Sequence, residues 1–348
     1  MPFGQPESHT RCMVRRPGTA PRAHATPMTL QPRLLQRPLA SAAAQAAEAA
    51  AGLQSHPASA SPKFFYDTLG SRLFEAITAL DEYYPTRTEA AIHSAHGAAI
   101  AQASLALTGP APVLVDLGAG SCAKAARLFP ALQPRRYVAV DISVDYLQDA
   151  LQSLQRLHPQ LDIVGLGDDF SARLQVPPEL MDGPALVLYP GSSIGNFDPE
   201  AACALLAQAR EAAPGGALLI GVDLVKPVPL LEAAYDDALG LTAAFNLNLL
   251  RHLNRLLGSD FEPRQWRHLA RWNAAESRVE MHLQAREALC VRWPGGERAF
   301  AADETLHTEN AFKWTPEAFA ALLQRAGWRP QQHWTDAQGW FAVFLAAA

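Results

Sequence analysis

The sequence predicts an α/β protein built on a doubly wound parallel sheet. Five short apolar segments alternate with stretches typical of helices, which is the pattern of strands joined by crossover helices. The first strand runs into the glycine turn Gly118-Ala119-Gly120, where bare backbone can approach a ligand closely. The second strand ends in Asp141, about 20 residues beyond the turn, where such folds place a carboxylate on a ribose.

The strands are predicted at residues 113–117, 137–140, 161–165, 185–189 and 217–222. An alanine-rich segment from Ala123 to Leu128 predicts a helix after the glycine turn. The clearest helix covers residues 199–213, because Asp198 can cap it and Pro199 suits its first position.

Two further regions lie outside this alternation. Residues 230–257 are predicted to be helical, and residues 277–285 alternate apolar and polar side chains like a strand with one exposed face. A last helix, capped by Thr315, and an apolar strand at residues 341–345 close the chain. Before the sheet, Tyr83-Tyr84 precedes a proline in a predicted loop, so one tyrosine must face away from whatever the other contacts.

These patterns divide the chain into two units and an extension. The sheet domain is expected to comprise residues 101–223 and 313–348, and a second unit comprises residues 61–100 and 224–312. A cleft between such units is a common place for a small-molecule site. Residues 1–60 are expected to be mostly disordered around an alanine-rich helix, because their first part is rich in proline and poor in apolar residues.

Composition excludes several classes of partner. Of the 348 residues 18% are charged, and the net charge of −5 gives no attraction toward nucleic acid or an anionic membrane. No apolar run approaches the ~20 residues of a membrane-spanning helix, and the N-terminal region lacks the apolar core of a signal peptide. The cysteines are scattered, which predicts free thiols and no metal site: Cys12, Cys122, Cys203 and Cys290. We therefore expect a cytoplasmic protein, and a monomer.

The residues alone leave two adenosine cofactors open. The glycine turn fits the dinucleotide pattern with Ala123 in third position, and Asp141 suits the ribose of NAD as well. Three features favour S-adenosylmethionine: Asp116 before the turn, the acidic and aromatic segment 167–170, and the polar segment 191–197. Each could be ordinary turn chemistry, but together they follow successive strands.

Longer motifs give the chain a family resemblance. They include KFFYDTLGSRLFEAIT at 63–78, EYYPTRTEA at 82–90, GSSIGNF at 191–197, AYDDALGLTAAFNLNLLRHLNR at 234–255 and TENAFKW at 308–314. In these motifs the chain resembles the histidine Nα-methyltransferases of ergothioneine biosynthesis, which make trimethylhistidine (hercynine). The resemblance covers nearly everything from Pro62 to the C-terminus. It implies a class I methyltransferase fold with an extra substrate-binding domain.

The resemblance also implies roles for particular residues. S-adenosylmethionine would be bound by Gly118, Gly120, Lys124, Asp141, Asp169 and Phe170. The histidine carboxylate would be held by Asn196 and Tyr235, and the imidazole would be surrounded by Tyr83, Met281 and Glu309. Tyr66 and the Gly191 carbonyl would lie near the α-amino group, as the catalytic pair.

One position departs from the family pattern. The family usually has serine two residues after the glutamate, whereas this chain has Ala311. The hydroxyl that would share the imidazole contact is therefore missing from this substrate-binding position.

Three classes of function compete at this point, the first of them with two possible substrates. The favoured one is an S-adenosylmethionine-dependent transfer of methyl groups to the α-amino group of L-histidine, without a metal. The same chemistry on another amino acid or imidazole-bearing amine is the alternative within the class. An NAD-dependent oxidoreductase fits the glycine turn but lacks an obvious acid or base for hydride transfer. A non-catalytic binding scaffold would not need Asp141, Asn196 and Glu309 together.

Overall fold

The computed structural model describes residues 3–4, 29–37, 41–171 and 173–348. Most of the proline-rich first part of residues 1–60, for which disorder is expected, therefore lies outside the described residues.

Strands and helices in the described residues are numbered along the chain. The strands are β1 (Arg33–Gln36), β2 (Val113–Leu117), β3 (Arg136–Asp141), β4 (Asp162–Gly167), β5 (Ala185–Tyr189), β6 (Ala217–Asp223), β7 (Trp266–Asn273), β8 (Arg278–Ala285), β9 (Leu289–Trp293), β10 (Gly296–Phe300), β11 (Thr305–Phe312), β12 (Arg329–Thr335) and β13 (Phe341–Ala347). The helices are α1 (Ala42–Gln54), α2 (Thr68–Ile77), α3 (Tyr84–Thr108), α4 (Ala123–Ala126), α5 (Phe129–Leu132), α6 (Val144–Leu157), α7 (Pro199–Ala212), α8 (Val228–Ala233), α9 (Leu241–Leu257) and α10 (Pro316–Arg325).

Eight strands form the main sheet, in the order β1-β4-β3-β2-β5-β6-β13-β12. The pairs from β1 to β6 are parallel, and β13 runs antiparallel to both β6 and β12. Strands β2, β5 and β6 are buried along their whole length, which explains why their sequences are continuously apolar. The predicted doubly wound sheet is confirmed, and it has the class I methyltransferase fold that the resemblance implies.

The helix caps also match the sequence. The side chain of Asp198 accepts a hydrogen bond from the Ala201 N–H at 2.8 Å, and Thr315 caps α10 in the same way at 3.2 Å. These side chains satisfy N–H groups that the first turn of a helix leaves unpaired.

The second part of the molecule lies over the carboxyl ends of the main strands. It contains the antiparallel sheet β11-β8-β7 and the hairpin of β9 and β10. Helices α1, α2 and α9 contact one another or this sheet. Their shared core is apolar and includes Leu53, Phe65, Phe245, Trp266 and Leu283.

The packing differs from the expected unit boundaries at both ends. Helix α1 contributes buried Leu53 to the core of the second part, although it was expected in the N-terminal extension. Helix α3 begins in the predicted loop, and its Ile92 and Ile100 pack against the main sheet. Strand β1 was not predicted, because four mostly exposed residues at a sheet edge show no periodic pattern. The division into two units stays a prediction.

Two predicted helices are shorter than expected. The segment after the glycine turn forms only the single turn α4, which follows Cys122 in a left-handed conformation at φ +60°. The stretch 230–257 breaks between α8 and α9, where the Asp237 carboxylate accepts the N–H groups of Leu241 and Thr242 at 3.0 and 2.7 Å. Alanine content and apolar spacing do not reveal such breaks.

Every helix in the described ranges is too short or too polar to cross a bilayer.

Candidate active site

The glycine turn after β2 is held against the end of β3. Gly118 and Gly120 have φ values of +68° and +50°, a region that side chains with Cβ rarely adopt. The Asp141 carboxylate accepts the Gly120 N–H through one oxygen and the Ser143 N–H through the other, both at 2.8 Å. Three of the predicted cofactor residues therefore lie together at the carboxyl edge of the sheet.

Asp169 and Phe170 follow β4 at the same edge. The Phe170 ring packs edge-on against Tyr189, and a Cβ on Gly118 would meet the ring at 3.9 Å. Asp169 forms an ion pair with Lys63 at 3.1 Å, which connects it to the second part of the molecule. No role was predicted for Lys63.

Lys124 lies between the glycine turn and the loop after β5. Its ammonium group forms an ion pair with Glu89 at 2.8 Å, and Glu89 also accepts the Gly191 N–H at 2.8 Å. Gly191 has a φ of +80°, which residues with a Cβ rarely adopt, and a Cβ there would come within 2.6 Å of the Lys124 nitrogen. Glu89 is buried, and its role could not be predicted because it depends on a contact with a residue 102 positions away in the sequence.

Asp116 lies beneath the turn. The Tyr137 hydroxyl donates to one oxygen of Asp116 at 2.7 Å, and the other oxygen has no partner among the described residues. Burial raises the pKa of Asp116 to about 7, although the Tyr137 hydrogen bond opposes the shift.

A cavity opens beside these residues, between the loop after β5 and the second part of the molecule. Seven residues predicted to contact substrate line it: Tyr66, Tyr83, Gly191, Asn196, Tyr235, Met281 and Glu309. Phe74, Phe245, Ser192, Ser193 and Asp223 are among the other lining residues. The predicted cofactor residues lie at the adjoining sheet edge and do not line this cavity.

Tyrosines form much of the cavity wall. Tyr83 contacts Tyr235 edge-on with ring centroids 6.4 Å apart, and Tyr66 packs against Phe74 at 5.8 Å. Tyr84 faces the opposite way and is buried behind the wall. The two adjacent tyrosine side chains therefore point in different directions, as predicted from their position before a proline.

Glu309 is a buried carboxylate in the cavity wall without a partner. It pairs in register with Met281 on the neighbouring strand, and its side chain makes no hydrogen bond or ion pair with any described residue. Burial raises the pKa of Glu309 to about 7, and the nearby Lys313 ammonium partly offsets this. Such a group is stabilised by a ligand that brings an N–H donor.

A second buried carboxylate, Asp223, has every partner it needs. It accepts hydrogen bonds from the Tyr84 hydroxyl at 2.7 Å and from Lys226, and it pairs with Lys313 at 3.0 Å. We call these four residues the Asp223 cluster. Burial alone would raise the pKa of Asp223, but the two ammonium groups and these hydrogen bonds hold it below its ordinary value.

Ala311 lies beside the cavity, outside its lining. It is buried in an apolar cluster with Leu231, Ala234 and Val279, two residues along β11 from Glu309. A serine hydroxyl at this position would enter a mostly apolar environment.

No group of residues in the described ranges could hold a metal ion, and three cysteines there are free thiols.

A family model and individual relatives of known function agree on the family to which this chain is similar. A family model for S-adenosylmethionine-dependent, histidine-specific methyltransferases matches residues 45–348. The chain is 41% identical to the histidine N-alpha-methyltransferase of Mycolicibacterium smegmatis and 42% identical to that of Mycobacterium tuberculosis. Each match covers 85% of this chain and 92% of the relative. Ergothioneine biosynthesis protein 1 of Neurospora crassa is 30% identical, over 78% of this chain and 31% of that longer protein.

Proposed function

The chain belongs to the family of histidine-specific, S-adenosylmethionine-dependent methyltransferases, and from this membership we propose that it methylates the α-amino group of L-histidine. The product would be Nα,Nα,Nα-trimethylhistidine (hercynine), which serves ergothioneine biosynthesis. The family membership decides between the two cofactors that the sequence left open. The cofactor is S-adenosylmethionine, and the interpretation as an NAD-dependent oxidoreductase is wrong.

The observation that carries the proposal is the unpartnered carboxylate of Glu309. An imidazole N–H supplies the donor that this buried acceptor lacks in the described structure. Amino acids with apolar side chains would leave the carboxylate unsatisfied, which costs binding energy. Met281 and Tyr83 supply flat and polarisable surfaces around the same part of the cavity.

We assign the substrate carboxylate to Asn196 and Tyr235. Asn196 ends a short 3₁₀ turn after β5, where its amide can donate into the cavity. Burial and the fields of Asp223 and Glu309 raise the pKa of Tyr235 well above its ordinary value. The phenol therefore stays protonated, and its O–H can donate a hydrogen bond to a carboxylate.

Gly191 and Tyr66 are assigned to the α-amino group. Glu89 accepts the N–H of Gly191 at 2.8 Å and so helps to hold the backbone at this residue. We assign the Gly191 carbonyl, which belongs to the next peptide, to accept an N–H of the substrate amine. Methyl transfer requires an uncharged amine with its lone pair aligned toward the methyl donor. The contribution of these residues is thus positioning, with no covalent protein intermediate.

The residues at the sheet edge fit the cofactor. Bound S-adenosylmethionine supplies an electrophilic methyl group on a sulfonium. The turn at Gly118 and Gly120 presents backbone without Cβ, and each Asp141 oxygen keeps a lone pair for a ribose hydroxyl. We assign the adenine to Asp169 and Phe170, and the methionine carboxylate to Lys124, which lies beside the loop at Gly191. These assignments belong to the proposal.

Three further expectations, which no observation tests, belong to the proposal as well. We propose that the protein acts as a monomer in the cytoplasm, and that histidine binds in the cleft between the two expected units. Light scattering during size-exclusion chromatography tests the monomer directly.

Mass spectrometry of the product tests the function. The enzyme is incubated with excess S-adenosylmethionine and, separately, with L-histidine, other amino acids and imidazole-bearing amines. We expect L-histidine to gain one, two and finally three methyl groups, because a substrate fixed by its carboxylate and imidazole leaves the amine free to turn. A reaction that stops at one methyl contradicts trimethylation.

A second candidate within the class rests on Ala311. If the missing hydroxyl reflects another substrate, a different amine in the panel will react faster than L-histidine.

A further inference from the structure

The residues that line the cavity carry negative charge, and none of those described carries a positive charge to balance it. The charged side chains among the described lining residues are Asp223 and Glu309, both acidic, and no described lysine or arginine lines the cavity. An amino acid bound there brings a third carboxylate into a buried space. Like charges at such short range repel strongly unless a cation compensates them.

The compensating charge lies one layer behind the wall. The side chains of Lys226 and Lys313 are 1% and 2% exposed, and both pair with the single carboxylate of Asp223. Burial lowers the pKa of Lys226 to about 8, which still leaves it protonated at neutral pH. The Asp223 cluster therefore has one positive charge more than it needs to neutralise its aspartate.

Lys313 contacts Tyr235, and through this contact its positive charge affects a residue that lines the cavity. Its ammonium group donates to the Tyr235 hydroxyl oxygen at 2.9 Å and lies 4.8 Å from the centre of the ring. An oxygen that accepts from an ammonium ion becomes a stronger donor through its own O–H. Because an ammonium group has no acceptor, the Tyr235 hydroxyl proton cannot be donated to Lys313 and points elsewhere, and Tyr235 lines the cavity.

Lys226 provides the contrast within the same cluster. It contacts the Tyr84 hydroxyl, the Leu224 carbonyl and Asp223, and none of its described hydrogen bonds reaches Tyr235. The other ammonium near the cavity, Lys124, is paired with Glu89. Lys313 is thus the described cation that connects directly to a cavity-lining donor.

We propose that Lys313 is a specificity-determining positioning residue, which makes Tyr235 a charge-assisted donor for the α-carboxylate of an amino-acid substrate. This rests on the proposed function. It explains how a cavity lined by acidic side chains selects an amino acid over the corresponding amine or amide without an arginine. Lys313 acts through Tyr235 and does not touch the substrate.

The test compares two ligands that differ at the carboxylate. L-histidine and L-histidinamide are titrated calorimetrically into the enzyme saturated with S-adenosylhomocysteine. Lys313→Met should weaken L-histidine by about 10-fold or more, as expected for losing a charge-assisted hydrogen bond, and L-histidinamide by less than about 3-fold. The matched control Lys226→Met removes a charge from the same aspartate and should change the two ligands by similar factors.

A mutant cycle separates this role from a general structural one. In the Tyr235→Phe background, Lys313→Met should weaken L-histidine by less than about 3-fold further, because the hydroxyl that carries the effect is gone. If the methionine variant does not fold, Lys313→Gln keeps N–H donors without the charge and should show the same selective loss.

Equal weakening of both ligands by Lys313→Met, or a full effect that persists in Tyr235→Phe, overturns the inference. Failure of the wild-type enzyme to bind L-histidine would instead remove the proposed function, and this inference with it.

Discussion

Asp223 and Glu309 are buried carboxylates in the wall of one cavity, yet their surroundings are opposite. Asp223 accepts from three donors of its cluster, and its pKa lies below the ordinary value. Glu309 has no partner among the described residues, and burial raises its pKa to about 7. Both follow the same physical rule: a buried charge must be paired, either by the protein itself or by a ligand that binds to it.

The difference separates a structural group from a ligand-binding group. The lone pairs of Asp223 are used within the protein, so its removal should damage the fold. Those of Glu309 are unused, so its removal should damage binding while relieving the fold of an unpaired buried charge. The predictions below test this contrast, from the largest expected effect to the smallest.

Asp223→Asn should cause the largest loss of stability. It leaves the ammonium groups of Lys226 and Lys313 buried without an anion, which costs about 3–5 kcal/mol of unfolding free energy. Urea denaturation measures this loss. The control is Asp303→Asn, which breaks an exposed pair with Arg267 and should cost at most ~1 kcal/mol. Similar losses in the two variants would break the comparison.

Asp141→Ala extends the comparison to a third carboxylate, which is held by backbone N–H groups. It should weaken S-adenosylmethionine binding by ~1.5–3 kcal/mol, because two ribose hydroxyls lose their charged acceptor. Calorimetry gives the affinity, and Asp145→Ala on the exposed start of α6 is the control. Unchanged affinity in a folded variant would remove Asp141 from the cofactor site.

Glu309→Gln should stabilise the free protein at alkaline pH. The folded pKa of about 7 lies above the ordinary 4.5, so the stability contributed by the protonated group is present below about pH 4.5 and lost as pH rises through 7. The variant should therefore gain on the order of 1–3 kcal/mol over wild type at pH 8 and less at pH 5. Thermal unfolding at both pH values checks this, with exposed Glu276→Gln as control. A gain independent of pH would contradict the assigned cause.

Ala311→Ser should have the smallest effect. With L-histidine as substrate, the added hydroxyl should leave KM unchanged or improve it by at most the ~0.5–1.5 kcal/mol of a neutral hydrogen bond. Steady-state kinetics on histidine and on the best alternative amine decide. Loss of activity on the alternative, without a gain on histidine, would indicate a cavity shaped for another substrate.

The local features of the fold could be read from the sequence. Strands β2 and β5 end where predicted, and the caps at Asp198 and Thr315 are present, because apolar runs and capping residues act over a few positions. Strand β11, which carries Glu309, was missed because its sequence mixes histidine, threonine and acidic residues without clean alternation. Its polar residues serve the cavity and the neighbouring strands.

The partners within the site could not be predicted in this way. Lys63 and Asp169 are 106 residues apart, and Lys313 and Tyr235 are 78 apart. Such pairs follow from how the second part lies on the sheet, which no local pattern encodes. By residue chemistry alone, Tyr235 would be a surface aromatic of a helix and Met281 a core residue. The resemblance placed both at the substrate, and the structure brings both to the cavity.

The central claim is that Glu309 is left unpaired for the imidazole of histidine. Calorimetric titration of L-histidine into Glu309→Gln, saturated with S-adenosylhomocysteine at pH 8, tests it most directly. We predict binding weaker than wild type by ~1.5–3 kcal/mol, roughly ten- to a hundred-fold, with the affinity for S-adenosylhomocysteine unchanged. Histidine affinity equal to that of wild type would contradict the claim.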